Sequence, residues 1–144
     1  FQRSFDTFIS INTIQYAAET KDSWNNFVEH VTMFSSKGTK LFINFLDGDL
    51  LSQLFEGNND FIKLNTISYV KKIDKDNDCV DYWIKYYYDW CHTHPNVEPV
   101  LKLKNIISSF GEKGWKVNQC EQKELLGNNE NQYFNCFSKI ILEL

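Results

Sequence analysis

The chain has 144 residues, a formal net charge of −4, 42% hydrophobic and 16% aromatic residues. That length and composition describe one domain over 1–144, or part of one, with enough chain for a real core, and they exclude a disordered polypeptide. The charge argues against a protein that grips long nucleic acid by bulk electrostatics, but it leaves room for one nucleotide end held in a pocket. No apolar run approaches the length of a membrane span, so no membrane partner is expected. The first residue is Phe1 rather than Met, and the residues after it already read as the approach to a strand. A processed or excised segment of something longer is therefore expected. The cysteines Cys79, Cys91, Cys120 and Cys136 show no CxxC spacing and no disulfide framework. Reduced, partly buried thiols in a cytoplasmic protein are the expectation.

In chain order, Phe5 to Ile14 is rich in β-branched and aromatic residues and predicts a strand, ending in Gln15-Tyr16. Thr20 to Ser36 predicts a helix, with Trp24, Phe27, Val28, Val31 and Phe34 at helical spacing and Lys37-Gly38 as its stop. Thr39 to Leu46 carries an unbroken apolar run, the mark of a strand covered on both faces. It breaks into Asp47-Gly48-Asp49 and continues as a short helix to Phe55, with Asp49 the expected N-cap. Strand, helix, strand, helix implies right-handed crossovers and a parallel sheet. Such a turn lies in the crevice where open α/β sheets bind ligands.

The pattern then changes. Thr66 to Ile73 and Val80 to Tyr88 read as a hairpin around Asp74 to Asp78. A helix is expected from Glu98 or Pro99 to Lys113, with Val100, Leu103, Ile106, Ile107 and Phe110 on one face and Gly114 as its stop. Trp115 to Gln122 and Tyr133 to Leu142 predict two closing antiparallel strands around the loop Gly127 to Asn131. Two βα steps with an antiparallel end look like the second half of a doubly wound α/β fold.

Most chemical motifs are excluded by spacing. Asp74, Asp76 and Asp78 imitate a calcium loop, but Cys79 and Lys85 stand where glycine and a bidentate glutamate are required. Cys91, His92 and His94 do not close a tetrahedral zinc site, so no metal is expected. No serine or cysteine sits in a nucleophile context, and no GxGxxG or phosphate loop occurs. Tyr82, Trp83, Tyr86, Tyr87, Tyr88 and Trp90 form an aromatic patch that could stack on bases, although strand-building is the plainer use of such residues. Glu98 reads either as first-turn helix charge or as a carboxylate accepting from a guanine-like base edge.

Four stretches together resemble the C-terminal half of mRNA cap (guanine-N7) methyltransferases, especially those within capping enzymes of large cytoplasmic DNA viruses. They are Phe5-Asp6 with Gln15-Tyr16 and Glu19, Lys37-Gly38 through Asp47-Gly48-Asp49-Leu50-Leu51-Ser52-Gln53-Leu54, Glu98 before a helix, and the closing hairpin with Phe134 to Ile141. The resemblance implies the Rossmann-like class I methyltransferase fold, C-terminal portion, without the upstream glycine loop that binds the donor. It also implies methyl transfer from S-adenosylmethionine to the cap guanine of a capped RNA 5′ end, by an enzyme incomplete on its own. Its location would be the cytoplasm of a host cell, or a virion.

On that resemblance Gln15, Tyr16, Asp47 and Glu98 would line the guanine. Phe137, with Tyr133 as the alternative, would supply an aromatic wall. Ser10, Ile11 and Asn12 would lie near the donor's adenine, and any phosphate contacts would come from Lys102, Lys104 or chain outside these residues. No general base is implied, because proximity and orientation suffice. Gln15 stands where the family has histidine, Ile11 where a polar glutamine is expected, and Phe137 where the family has tyrosine. The implied partners are capped RNA and the upstream methyltransferase half or other capping-enzyme domains. Two other functions fit the same residues: a non-catalytic methyltransferase-like subunit that scaffolds a partner, and a class I methyltransferase acting on a small molecule.

Overall fold

The computed structural model describes residues 4–57, 59–64, 68–75, 80–87, 97–123, 125 and 132–144. The acidic tip at 76–79, Tyr88, Trp90, the Cys91–His94 cluster and the loop at 127–131 lie outside the described residues.

Two four-stranded sheets organise the chain. The first contains β1 (Phe5–Ile11), β2 (Ser35–Leu46), β7 (Lys116–Glu121) and β8 (Phe137–Glu143), in the order β1-β2-β8-β7. Strands β1 and β2 run parallel, and β8 is antiparallel to both β2 and β7. The parallel step followed by an antiparallel end is the architecture expected of the α/β reading. The second sheet is antiparallel throughout. Its strands β3 (Phe61–Lys63), β4 (Tyr69–Ile73), β5 (Tyr82–Tyr87) and β6 (Val97–Val100) follow one another in chain order. The expected single hairpin is thus the middle of a larger sheet.

The apolar spacing places the core. Helix α1 (Lys21–Met33) buries Trp24, Val28 and Val31, and α3 (Leu103–Gly111) buries Ile106 and Phe110. Both cover the face of the first sheet formed by Leu41, Ile43, Phe45, Ile140 and Leu142. Phe34 and Ile107, expected on these faces, are exposed instead. A second core joins α2 (Gly48–Gly57) to the inner face of the second sheet through Leu51, Leu54, Phe55, Val70, Ile84 and Tyr86.

Local signals explain the element ends, and several differ from expectation. Thr20 is the N-cap of α1, accepting from the Ser23 backbone N–H at 3.1 Å. The helix ends at Met33, not at Lys37-Gly38. Gly38 lies inside β2 with φ of +91°, where the β1 register slips between Phe5 and Thr7, so its glycine serves a strand irregularity. Strand β1 stops at Ile11, and Ile14–Glu19 form a 3-10 helix. Tyr133 belongs to a second 3-10 turn, Gln132–Asn135, rather than to β8. Glu98 lies on edge strand β6, not at a helix start; Pro99 beside it is tolerated because an edge strand need not donate on both sides.

Gly48 is a point of close approach. Its N–H donates to Leu101 O at 2.8 Å and its carbonyl accepts from Tyr82 Oη at 2.7 Å. A Cβ there would meet Leu101 O and Lys102 Cγ, each at 3.0 Å. Gly48→Ala is expected to cost about 1–3 kcal/mol by forcing α2 away from the α3 entry, measurable by urea unfolding.

Beside it Lys102 pairs with Asp81 and, at 3.6 Å, with Asp49. The hydrogen bond from Lys102, helped by the charges of Lys102 and Lys104, holds the Asp81 carboxyl below its ordinary value of 3.8 against the opposing effect of burial. A depressed folded pKa contributes stability above the ordinary carboxylate range and loses it as pH falls through the folded value. Asp81→Asn is therefore expected to lower stability at pH 7 by roughly 0.2–1 kcal/mol. The difference between variant and parent should shrink in denaturant titrations as pH falls below the ordinary carboxylate range and Asp81 becomes protonated in the folded state.

Candidate functional site

The site is built where the 3-10 helix at 14–19 crosses β6. Tyr16 Oη donates to Glu98 Oε1 at 2.6 Å, joining residues 82 apart in sequence. Glu98 is only 9% exposed, whereas Tyr16 is 49% exposed, so the tyrosine forms the outer lip and the carboxylate the inner wall. Glu98 Oε2 makes no hydrogen bond among the described residues. Gln15, also 9% exposed, donates from Nε2 to Asn12 O at 3.0 Å, while its Oε1 is buried without a partner.

The register extends this wall. Glu98 pairs with Ile84, and directly paired residues share a face, so Glu98 stands on the side of β5 that carries Tyr82, Ile84 and Tyr86. Tyr86 Oη and Tyr133 Oη lie 2.7 Å apart, and Phe137 packs edge-on against Tyr133 with centroids 6.2 Å apart. Phe137 is half-buried at the start of β8, opposite Leu46. The Tyr86–Tyr133 contact carries no motif that sequence alone could reveal.

Asp47 has a different task from the one its neighbours suggest. It is fully buried, and both carboxylate oxygens are spent inside the protein. Oδ1 accepts from the Asp49 N–H at 3.0 Å, and Oδ2 accepts from Gln122 Nε2 and Ser138 Oγ, both at 2.7 Å. Its own N–H donates to Cys136 O at 2.7 Å. Asp47, not Asp49, therefore caps α2, and it ties the ends of β2, β7 and β8 together. Next to it, burial and the Asp47 charge push the Cys136 thiol up to about 12, so that cysteine is inert at neutral pH.

Ser10, Ile11 and Asn12 sit at the C-terminal end of β1, the edge of a crevice in open α/β sheets. Ser10 Oγ and Thr13 Oγ1 are 3.1 Å apart. Asn12 takes a left-handed conformation with φ of 53° and donates its N–H to Asn44 O at 2.8 Å. Ile11 is 63% exposed, so an apolar side chain and the Asn12 amide follow one another at the strand end. Ser10 and Ile11 also line a hollow of about 250 Å³ on the sheet face opposite α1 and α3, floored by Ile9, Ile11, Phe42 and Ile141. Lys102 and Lys104, expected to meet phosphates, are instead neutralised by Asp81 and Asp49. Among the described residues no cluster of three or more metal-ligating side chains occurs.

No protein-family model and no curated protein matches this sequence. Solved structures do. The whole chain superposes on an S-adenosylmethionine-dependent methyltransferase from Clostridium acetobutylicum with a TM-score of 0.59 at 16% identity, covering 60% of that protein. It superposes over 99% of its length on the PH0226 protein from Pyrococcus horikoshii, with a TM-score of 0.60, 14% identity and 53% coverage. Over the same share it matches the glycopeptide N-methyltransferase MtfA complexed with S-adenosylmethionine, at 0.54, 7% and 58%. The fold is thus the Rossmann-like α/β fold of class I methyltransferases, and the chain spans less than two thirds of these proteins' lengths.

Proposed function

We propose that this chain is the acceptor-binding, C-terminal part of an S-adenosylmethionine-dependent methyltransferase domain, and that its acceptor is the cap guanine of an RNA 5′ end. The observation that carries the proposal is the Tyr16–Glu98 hydrogen bond, which holds the Glu98 carboxylate by Oε1 and leaves Oε2 without a partner among the described residues. A guanine edge offers several N–H donors at once, and a carboxylate receives them through charge-assisted bonds. Phe137 and Tyr133 supply the apolar side of the same wall.

The donor brings a methyl already activated by its sulfonium, and a purine nitrogen already carries a free lone pair. The chain therefore has no proton to remove, and its residues bind and orient. Tyr16 fixes the Glu98 carboxylate, Glu98 draws the base edge inward, and its charge complements the positive charge gained by the purine. Holding the reactants in line can supply roughly 7–11 kcal/mol of the barrier. Ser10, Ile11 and Asn12 offer one side of a purine site for the donor. The glycine loop would come from chain outside these residues, acting in the cytoplasm or within a virion.

The test is competition: a cap dinucleotide should be methylated, and should inhibit methylation of capped RNA, in the complete enzyme. Indifference to the dinucleotide removes the guanine assignment. A second reading, N-methylation of a small amine, takes its support from the glycopeptide N-methyltransferase MtfA among the structural neighbours. There Glu98 would accept a hydrogen bond from the neutral amine and take up the proton it sheds once the methyl is transferred to its lone pair, and the dinucleotide would not compete. Calorimetry with S-adenosylhomocysteine separates both from a non-catalytic subunit, which would give no heat even with its partner present.

A further inference from the structure

We propose that the outer face of the second sheet binds the single-stranded RNA chain that follows the cap. The RNA class rests on the reading above; the surface itself is argued independently. Along β3, β4 and β5 the even-numbered residues Ile62, Val70, Ile84 and Tyr86 enter the core. On the other face Phe61, Lys63, Tyr69, Lys71, Lys85 and Tyr87 form an alternating ladder of rings and ammonium groups, while Ile73 and Trp83 at its far end pack into the first core. Phe61 and Tyr69 lie 5.6 Å apart between centroids, and Tyr69 and Tyr87 are stacked at 4.5 Å and 14°. Lys71 lies over Phe61 at 5.2 Å and Lys85 over Tyr87 at 4.9 Å. Phe61 is 44% exposed, an unusual place for a ring that only builds a sheet.

Charge on this face has one sign: its described strand residues include Lys63, Lys71 and Lys85 and no carboxylate, and among the described residues none of these three lysines has a carboxylate within ion-pair distance. These cations stand beside exposed rings in a chain whose net charge is −4. Rings that accept bases and lysines that accept phosphates, spaced along adjacent strands, are what a sequence-tolerant single-strand platform requires. The lysines now rest on the rings and can turn to phosphate when a base takes their place. The ladder also adjoins the proposed guanine wall: Ile84 pairs with Glu98, and the next residue on β5, Lys85, projects from the opposite face.

The experiment uses the complete protein and an uncapped, unstructured single-stranded RNA oligonucleotide as probe, read by fluorescence anisotropy. The parent should bind it, and K71E/K85E should weaken binding at least 10-fold. The dependence of log Kd on log salt should fall by about 1.4, from two lost phosphate contacts at about 0.7 each. Y87A should weaken binding and Y87F should retain it, since only the ring is needed, with equal thermal melts as the folding control. For Y87A and for K71E/K85E, the ratio of kcat/KM for a capped oligonucleotide to that for a cap dinucleotide should fall as well. Unchanged RNA affinity in correctly folded K71E/K85E overturns the proposal, and so does a surface that captures only a protein partner. If the dinucleotide is not methylated but the ladder variants still lose RNA, the cap assignment fails and this surface stands.

Discussion

Replacing Glu98 by alanine is expected to lower kcat/KM for methyl transfer in the complete enzyme about 100-fold, because hydrogen bonds to a charged group contribute roughly 1.5–3 kcal/mol. The fold should survive the change. Glu98 lies on an edge strand whose backbone ladder to β5 does not depend on the side chain, and the released Tyr16 hydroxyl is near solvent. Glu98→Gln discriminates further, since its amide oxygen can still accept from Tyr16 while the negative charge is gone. If the carboxylate reads a donor-rich base and offsets its developing charge, the glutamine variant should recover binding more than turnover. Near-normal turnover in the alanine variant would remove Glu98 from the site. Steady-state kinetics with a cap dinucleotide, alongside matching thermal melts, decide the question.

Asp47→Ala is expected to be the most destabilising single change at the turn, at about 3–5 kcal/mol, and to lower activity only through loss of fold. The cap of α2 contributes about 1 kcal/mol. Burying the Gln122 amide and the Ser138 hydroxyl without their acceptor adds roughly 1–3 kcal/mol each, with the lower end applying where water can reach. Ser138 is fully buried and Gln122 is exposed, so the serine carries the larger share. Chemical denaturation should show the loss, and Ser138→Ala combined with Asp47→Ala should be clearly less than additive. Full additivity would mean the two side chains do not act as one node.

The parts of this molecule legible in the sequence are those written in apolar spacing. The inward residues of β2 and β8 and the stripe of α1 emerge from it, because one buried face forces one periodicity; β2 is covered on one face rather than the expected two, leaving Phe42 exposed, and β7 is exposed throughout. Where two elements share a continuous apolar rhythm, their boundary disappears. Val100, Leu103, Ile106 and Phe110 read as one helix, yet Val100 belongs to β6 and the helix starts at Leu103. Glu98 therefore reads as the start of that helix, whereas it lies on the strand before it. Strand β3 is three residues long and carries no pattern to detect.

The two aspartates around Gly48 show a different limit. Either could cap a helix, and only the distant partners Gln122 and Ser138 decide that Asp47 turns inward. Tyr16 and Glu98 meet in a hydrogen bond between residues 82 apart, a contact that composition could not supply. The aromatic patch around β5 splits by alternation, Tyr82 and Tyr86 inward and Tyr87 outward, a division invisible without the strand register.

Strand β8 enters between β2 and β7, with Phe42 opposite Ile141 and Leu46 opposite Phe137. The interior seam of the first sheet is thus sewn by residues made long after β2 leaves the ribosome. Until they arrive, an apolar strand waits with an unsatisfied flank, while β4 and β5 can zip together locally. Nascent chains should therefore be most prone to clumping after β2 emerges and before β8 does, and chaperone demand should peak in that interval.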